Sequence, residues 1–234
     1  DAWILAGDRA SDVAGWRVDA DGDVDGDQIA DILVGAPLSD QGANDAGIVY
    51  VWTGGVTGDG DLRDAHAWIV GEFPDDGFGA DVHFAGDQDG DGFSDIVAVH
   101  MGGEIWCDSS GNNQVGIIDL YSGAITGEVA STAALGRWSS EGRGDYAGCG
   151  LANLGDINGD ELDDIAVSAW GSDVYETDAG AAYVIYGGGL AGEHDLGDAD
   201  VRLYGSDQYF RAGSSLGDAG DLDGDGLTEL AVGA

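Results

Sequence analysis

Four copies of one acidic nonamer recur along the chain, at residues 23–31, 87–95, 156–164 and 221–229, with starts 64, 69 and 65 positions apart. Each copy reads Asp-x-Asp/Asn-Gly-Asp-x-x-x-Asp/Glu. A period this long corresponds to one supersecondary unit per repeat. Such a unit cannot bury its apolar face alone, so the copies must stack into an array or close into a ring. Oxygen donors at positions 1, 3, 5 and 9 suit a hard cation, and Ca²⁺ is the expected ion.

The expected side-chain ligands are Asp23, Asp25, Asp27 and Asp31 in the first copy and Asp87, Asp89, Asp91 and Asp95 in the second. The third offers Asp156, Asn158, Asp160 and Asp164, and the fourth Asp221, Asp223, Asp225 and Glu229. The backbone carbonyls at position 7 (Ile29, Phe93, Leu162 and Leu227) complete each set. An EF-hand is a poor alternative. It needs Gly at position 6, a bidentate Glu at position 12 and a following helix. Here position 4 is Gly in every copy, and position 12 is Val34, Ala98, Val167 and Val232.

The segments between nonamers read as short β-strands. Apolar runs follow at residues 32–37, 96–101, 165–170 and 230–234, then at 47–52, 116–121 and 180–186, then at 3–7, 68–71 and 201–205. They are rich in Val, Ile and aromatics, are bounded by Gly and Asp, and show no 3.6-residue period, which predicts an all-β fold with four strands per repeat. A Gly stands eight residues before each nonamer, as Gly15, Gly79, Gly148 and Gly213.

Net charge is −39, all seven basic residues are Arg, and 43% of the chain is hydrophobic. That apolar content argues against disorder despite 44 glycines. The charge excludes nucleic acid and anionic lipid as partners. Four bound Ca²⁺ would still leave −31, so most of the remaining carboxylates read as a solvated surface. No apolar run approaches the roughly 18 residues a membrane span needs. With no visible signal peptide and Asp1 at the start, the expectation is a mature or trimmed product.

Phe78-Gly79, Gly35-Ala36-Pro37 and the four acidic loops together resemble the FG-GAP repeats of the integrin α-subunit β-propeller and its bacterial relatives. The resemblance covers essentially the whole chain. It implies blades of four antiparallel strands with Ca²⁺ in the hairpin between strands 1 and 2. Laid on that topology, the chain holds one strand 4, three complete blades and strands 1 and 2 of a fourth. The repeat units are 8–71, 72–136, 137–205 and the partial 206–234. About three and a half blades suggest a segment of a larger, seven-bladed ring, with further blades or another chain closing it.

In that fold the 2–3 and 4–1 loops share the face the family uses for ligands. Two lengthened loops, 101–114 and 137–146, fall there and carry Trp106, Arg137, Trp138, Arg143 and Tyr146, the candidate rim for a protein or glycan ligand. The same topology makes Cys107 and Cys149 neighbours and candidates for one disulfide, two buried thiols being the alternative. Arg143-Gly144-Asp145 matches the tripeptide integrins bind and is weighed as a chance match in so Gly- and Asp-rich a chain. No catalytic motif is legible: the four histidines lack zinc-site spacing and no Gly-x-Ser-x-Gly elbow occurs. The reading is a secreted or cell-surface recognition module with structural calcium. A polysaccharide-active enzyme on the same scaffold and a structural part of a surface assembly are the alternatives.

Overall fold

A computed structural model describes residues 4–7, 9–55, 58–102 and 116–234. Strand β1 (Leu5–Ala6) stands alone at the start. The first blade is β2 (Arg17–Asp19), β3 (Ile32–Ala36), β4 (Ile48–Trp52) and, after a short β5 (Gly60–Asp61), β6 (Ala67–Val70). The second is β7 (Val82–Gly86), β8 (Asp95–His100), β9 (Ile117–Tyr121) and, after β10 (Gly127–Ala130), β11 (Gly136–Ser139). The third is β12 (Ala147–Gly155), β13 (Asp164–Ala169), β14 (Ala181–Ile185) and, after β15 (Gly192–Asp195), β16 (Val201–Tyr204). β17 (Ser215–Asp218) and β18 (Leu230–Gly233) form a half-blade. Within each blade the strands pair antiparallel in chain order. The architecture is all-β, a partial propeller.

The middle strands of each blade are buried on both faces, which is why they read as continuous apolar runs rather than alternating ones. Each seam is a core made by two blades. Leu33, Val49, Val51 and Ile69 of the first blade meet Phe78, Val82, Ile96 and Tyr121 of the second. The innermost strands β2, β7, β12 and β17 lie side by side in that order.

The Phe-Gly and Ala-Gly landmarks have a backbone reason. Gly15, Gly79, Gly148 and Gly213 adopt φ of +86°, +83°, +84° and +85°, a region bulky residues avoid. Phe78 just before is wholly buried in the seam, and its backbone bridges Gly47. A β-carbon on Gly47 would collide with the Phe78 carbonyl, so the blades approach backbone to backbone here.

Among the described residues there are eighteen strands, three more than the fifteen the repeat layout predicts. The additional strands β5, β10 and β15 pair parallel with β1, β6 and β11, the outer strands of the preceding blades. Each leads into a 3₁₀ turn. These are cross-blade clasps that cover an otherwise open sheet edge. A shared Asp-Leu-x-Asp-Ala at residues 61–65 and 195–199 marks two of them in the sequence.

Candidate metal centre

The four nonamers fold into one loop geometry, each joining the innermost strand of a blade to its second. The position-1 carboxylate turns inward and accepts backbone N–H groups from positions 4, 5 and 6. For Asp87 these come from Gly90 at 2.8 Å, Asp91 at 3.0 Å and Gly92 at 3.0 Å. Asp23, Asp156 and Asp221 repeat the pattern. Position 3 accepts the N–H of position 5, and position 5 that of position 7, in all four copies. The Gly at position 4 has φ between +78° and +83° in every copy. Position 6 is also left-handed, including Gln28 at +66° and Glu161 at +73°, a feature that the Gly at 92 and 226 hinted at.

The position-9 side chain closes the loop from the opposite side. Asp31, Asp95 and Asp164 are fully buried. One oxygen of each accepts the N–H of position 2, and the other accepts an N–H just beyond the third strand, from Gly54, Gly123 or Gly187. Glu229 makes only the first bond, to Leu222.

The result is carboxylates gathered around one point. Oxygens of Asp221, Asp223, Asp225 and Glu229 lie within 4.8 Å of one another, as do those of Asp23, Asp25 and Asp27, and of Asp87, Asp89 and Asp95. In the third loop Asn158 replaces a carboxylate and donates to Asp160 at 3.0 Å. Such gatherings are electrostatically costly. Burial, with Asp89 and Asp91 nearby, pushes Asp95 up to about 7. Burial followed by like charge likewise raises Asp31 and Asp164. A divalent cation among these oxygens reverses that cost, since it is the largest local charge. The donors are all oxygen, several are carboxylates, and the loop is pinned by its own amides, which fits Ca²⁺.

The loops are also wired to each other. Asp23 exchanges backbone bonds with Ser94 (Ser94 N–H to Asp23 O 2.8 Å, Asp23 N–H to Ser94 Oγ 3.0 Å). Asp87 and Asp163 do the same, at 3.0 and 2.8 Å. Gln88, fully buried, donates to the Asp163 carbonyl at 2.9 Å. Position 8 of one loop thus grips position 1 of the loop before it.

The rim residues are placed differently from the expectation. Trp138 lies on β11 with 4% exposure and stacks on His194 of the clasp β15, at 5.1 Å between centroids. Arg137 is committed to Asp119, with Nε–Oδ1 at 2.6 Å and Nη2–Oδ2 at 2.5 Å. Tyr146 is 8% exposed and stacks on Trp170 at 4.5 Å. Trp138 is thus buried under His194, and Arg137, with 26% of its side chain exposed, is held by Asp119, so neither stands free on an open rim. Arg143 is exposed. Trp106 and Cys107 lie outside the described residues. Asp145 of the Arg-Gly-Asp tripeptide is 3% exposed and accepts from Ser140 Oγ at 3.1 Å, so the tripeptide is not presented. His83, on the innermost strand β7, sits 3.4 Å from Asp19 and 3.7 Å from Asp81.

The FG-GAP repeat family matches residues 14–52, the first strand, acidic loop and next two strands of blade one. Mouse (Mus musculus) integrin alpha-M is 31% identical over 159 residues, 63% of this chain. The chain thus carries an FG-GAP repeat in its first blade and is similar to integrin α subunits. Integrin alpha-D of Homo sapiens is 31% identical over 151 residues, and integrin alpha-5 of Xenopus laevis 28% over 177 residues, 72% of this chain. The chain spans only 12–16% of the length of these relatives. No helix among the described residues of the FG-GAP domain is long and apolar enough to cross a membrane.

Proposed function

We propose that this FG-GAP domain is an extracellular, calcium-dependent recognition or adhesion module in which four Ca²⁺ ions are structural. The observation that carries the reading is one loop geometry repeated four times, its backbone amides consumed in holding the acidic side chains, with carboxylates converging on one point in the first, second and fourth copies. The ligands are the side chains at positions 1, 3, 5 and 9 and the carbonyls of Ile29, Phe93, Leu162 and Leu227. Calorimetric titration should show four Ca²⁺ bound, with affinities on the order of 10⁻⁴–10⁻³ M or tighter. The loop with Asn158 has one charge fewer and should be the weakest, and Asn158→Asp should strengthen it selectively. Absence of Ca²⁺ uptake would sink the reading.

The domain serves binding rather than catalysis. His83 and His100 are held between carboxylates and His194 is stacked on Trp138, which are packing roles. Its partners are a protein or glycan ligand on the loop face and further blades or another chain beside blade one. Support for the latter is a cavity of 620 Å³ lined by Leu5, Val18, Ile32, Val34, Trp52 and Leu62, on the face that blade two buries against its neighbour.

Cys107 and Cys149 form the disulfide in this proposal. Cys149 packs against the main core, and no cysteine among the described residues is a free thiol. The bridge closes a span of 42 residues, which contributes about 3–4 kcal/mol in the chain-entropy account. Thiol labelling of the unfolded, unreduced protein should find no reactive cysteine, and two labels would refute the bridge.

A further inference from the structure

The third acidic loop departs from its siblings at position 3, where Asn158 stands in place of Asp25, Asp89 and Asp223. Position 4 is Gly, so residues 158–159 form an Asn-Gly pair, and the chain has no other. Such a pair carries its own chemistry. With no side chain on the following residue, the Gly nitrogen meets little hindrance in reaching the amide carbon of the Asn side chain. The product of that attack is a cyclic imide, a succinimide.

The folded loop ties up every group this step needs. The Gly159 N–H must lose its proton before the nitrogen can attack, and it is given to Asp156 Oδ1 at 2.6 Å. The target amide is held at both ends. Its oxygen accepts the Asp160 N–H at 2.9 Å, and its nitrogen donates to Asp160 Oδ2 at 3.0 Å. Gly159 itself is fixed at φ +83°. Water and space are nevertheless at hand. Asn158 is half-buried, Gly159 and Asp160 are exposed, and nothing lies within 4 Å of the place a β-carbon would take on Gly159. Ring closure is therefore opposed by the loop's own bonds and not by burial. Those bonds open together, because the Asp156 carboxylate also accepts the N–H groups of Asp160 and Glu161.

We propose that Asn158 is a deamidation site gated by its own loop, and that calcium closes the gate. When the loop opens, a bond forms between Gly159 N and Asn158 Cγ. The bond from Cγ to the side-chain nitrogen breaks, and that nitrogen leaves as ammonia with the Gly159 proton. One water then opens the imide. Attack at Cγ restores the main chain and leaves aspartate, which gives this loop the four carboxylates of its siblings. Attack at the main-chain carbonyl leaves isoaspartate, which lengthens the backbone by one carbon and moves the position-4 to position-6 amides away from Asp156. Loss of calcium thus writes a covalent mark on the loop with the fewest charges, and the mark either completes that loop or abolishes it. The proposal rests on the calcium reading of the loop.

The test incubates the wild type at neutral pH in excess Ca²⁺, in chelator below the melting temperature of the chelated protein, and in urea with chelator. Conversion is followed by mass spectrometry of the peptide that holds Asn158, and the matching peptide of Asn158→Asp identifies the aspartate product. Conversion should be fastest in urea and slower in the folded, chelated protein. Calcium at a hundredfold over its Kd should slow it about a further hundredfold, since it lowers the open population by that factor. Asn153, exposed and followed by Leu154, should stay unconverted while Asn158 reacts. The aspartate product, separated by charge, should bind Ca²⁺ as Asn158→Asp does. Equal rates in urea and in the folded protein overturn the loop gate. Equal rates with calcium and with chelator, while calorimetry shows the third loop filled, overturn the role of the ion. Calorimetry showing that loop empty in excess Ca²⁺ overturns the metal reading instead, and the comparison with urea still decides the gate.

Discussion

Stripping calcium with a chelator is expected to lower the melting temperature of this domain by about 20 °C or more. Each site held at a hundredfold over its Kd adds about 2.7 kcal/mol, and 1 kcal/mol moves Tm by about 2–4 °C in a domain of this size. Four sites acting on one cooperative unit therefore amount to about 20–40 °C. The cooperativity has a structural basis. Position 8 of the second and third loops is bonded to position 1 of the loop before it, and Gln88 reaches across the contact between those two loops. Loss of the ions leaves carboxylates converging in Asp-rich hairpins, with Asp31, Asp95 and Asp164 buried at the blade base. Sodium chloride at matched ionic strength should restore little of the loss, because screening weakens repulsion between exposed charges without supplying ligation. The measurement is a thermal melt with and without chelator, followed by calcium add-back. A Tm unchanged by chelation would show that the hairpins stand without metal.

Asp119→Ala should destabilise the domain by about 3–5 kcal/mol, because it strands a buried cationic pair. Asp119 is fully buried on β9 and accepts from Arg137 twice, from His100 Nε2 at 2.8 Å and from the Tyr121 hydroxyl at 3.2 Å. His100 holds Asp76 at 2.5 Å with its other ring nitrogen and lies 4.7 Å from the Phe78 ring. The register shows how local this network is. Asp119 pairs with Ala98 and Arg137, where blade one pairs Tyr50 with Val34 and Trp68, and blade three pairs Tyr183 with Val167 and Arg202. One blade has an ionic cluster where its neighbours have an aromatic ring. The triple variant His100→Ala/Asp119→Tyr/Arg137→Trp restores the blade-one pattern. Because buried ion networks replaced by apolar groups are often neutral or better, it should stay within about 1–2 kcal/mol of wild type.

The network also carries a pH signature. Burial lowers the His100 pKa, but its bonds and charges from Asp119 and Asp76 outweigh this and raise it above 6.5. Burial raises Asp119, but Arg137 and His100 outweigh that and bring it below 3.8. The His100 contribution is complete below pH 6.5 and is lost as pH rises through its folded value. The Asp119 contribution is present above pH 3.8 and is lost as pH falls through its folded value. Denaturant melts should show the wild type losing stability on the alkaline side of that window and the triple variant lacking that loss. A triple variant as unstable as Asp119→Ala would mean that the site cannot accept the aromatic packing of its neighbours.

Much of this was legible in the residues alone, for a physical reason. The acidic loops depend on local geometry: a Gly at position 4, carboxylates at alternating positions and amides within six residues of one another, all of which a nonamer specifies by itself. The blade period, the strands and the positive-φ glycines follow from patterns that act over a few residues, and four copies made them unmistakable. The clasps β5, β10 and β15 were invisible to that reading because each is a parallel pairing with the blade before, sixty or so residues away, where strand propensity says nothing about partners. The fate of Arg137, Trp138 and Tyr146 was likewise decided in three dimensions. Their types announce an interface, but whether that interface faces solvent or a neighbouring blade depends on what packs above them. His194 and Trp170 do.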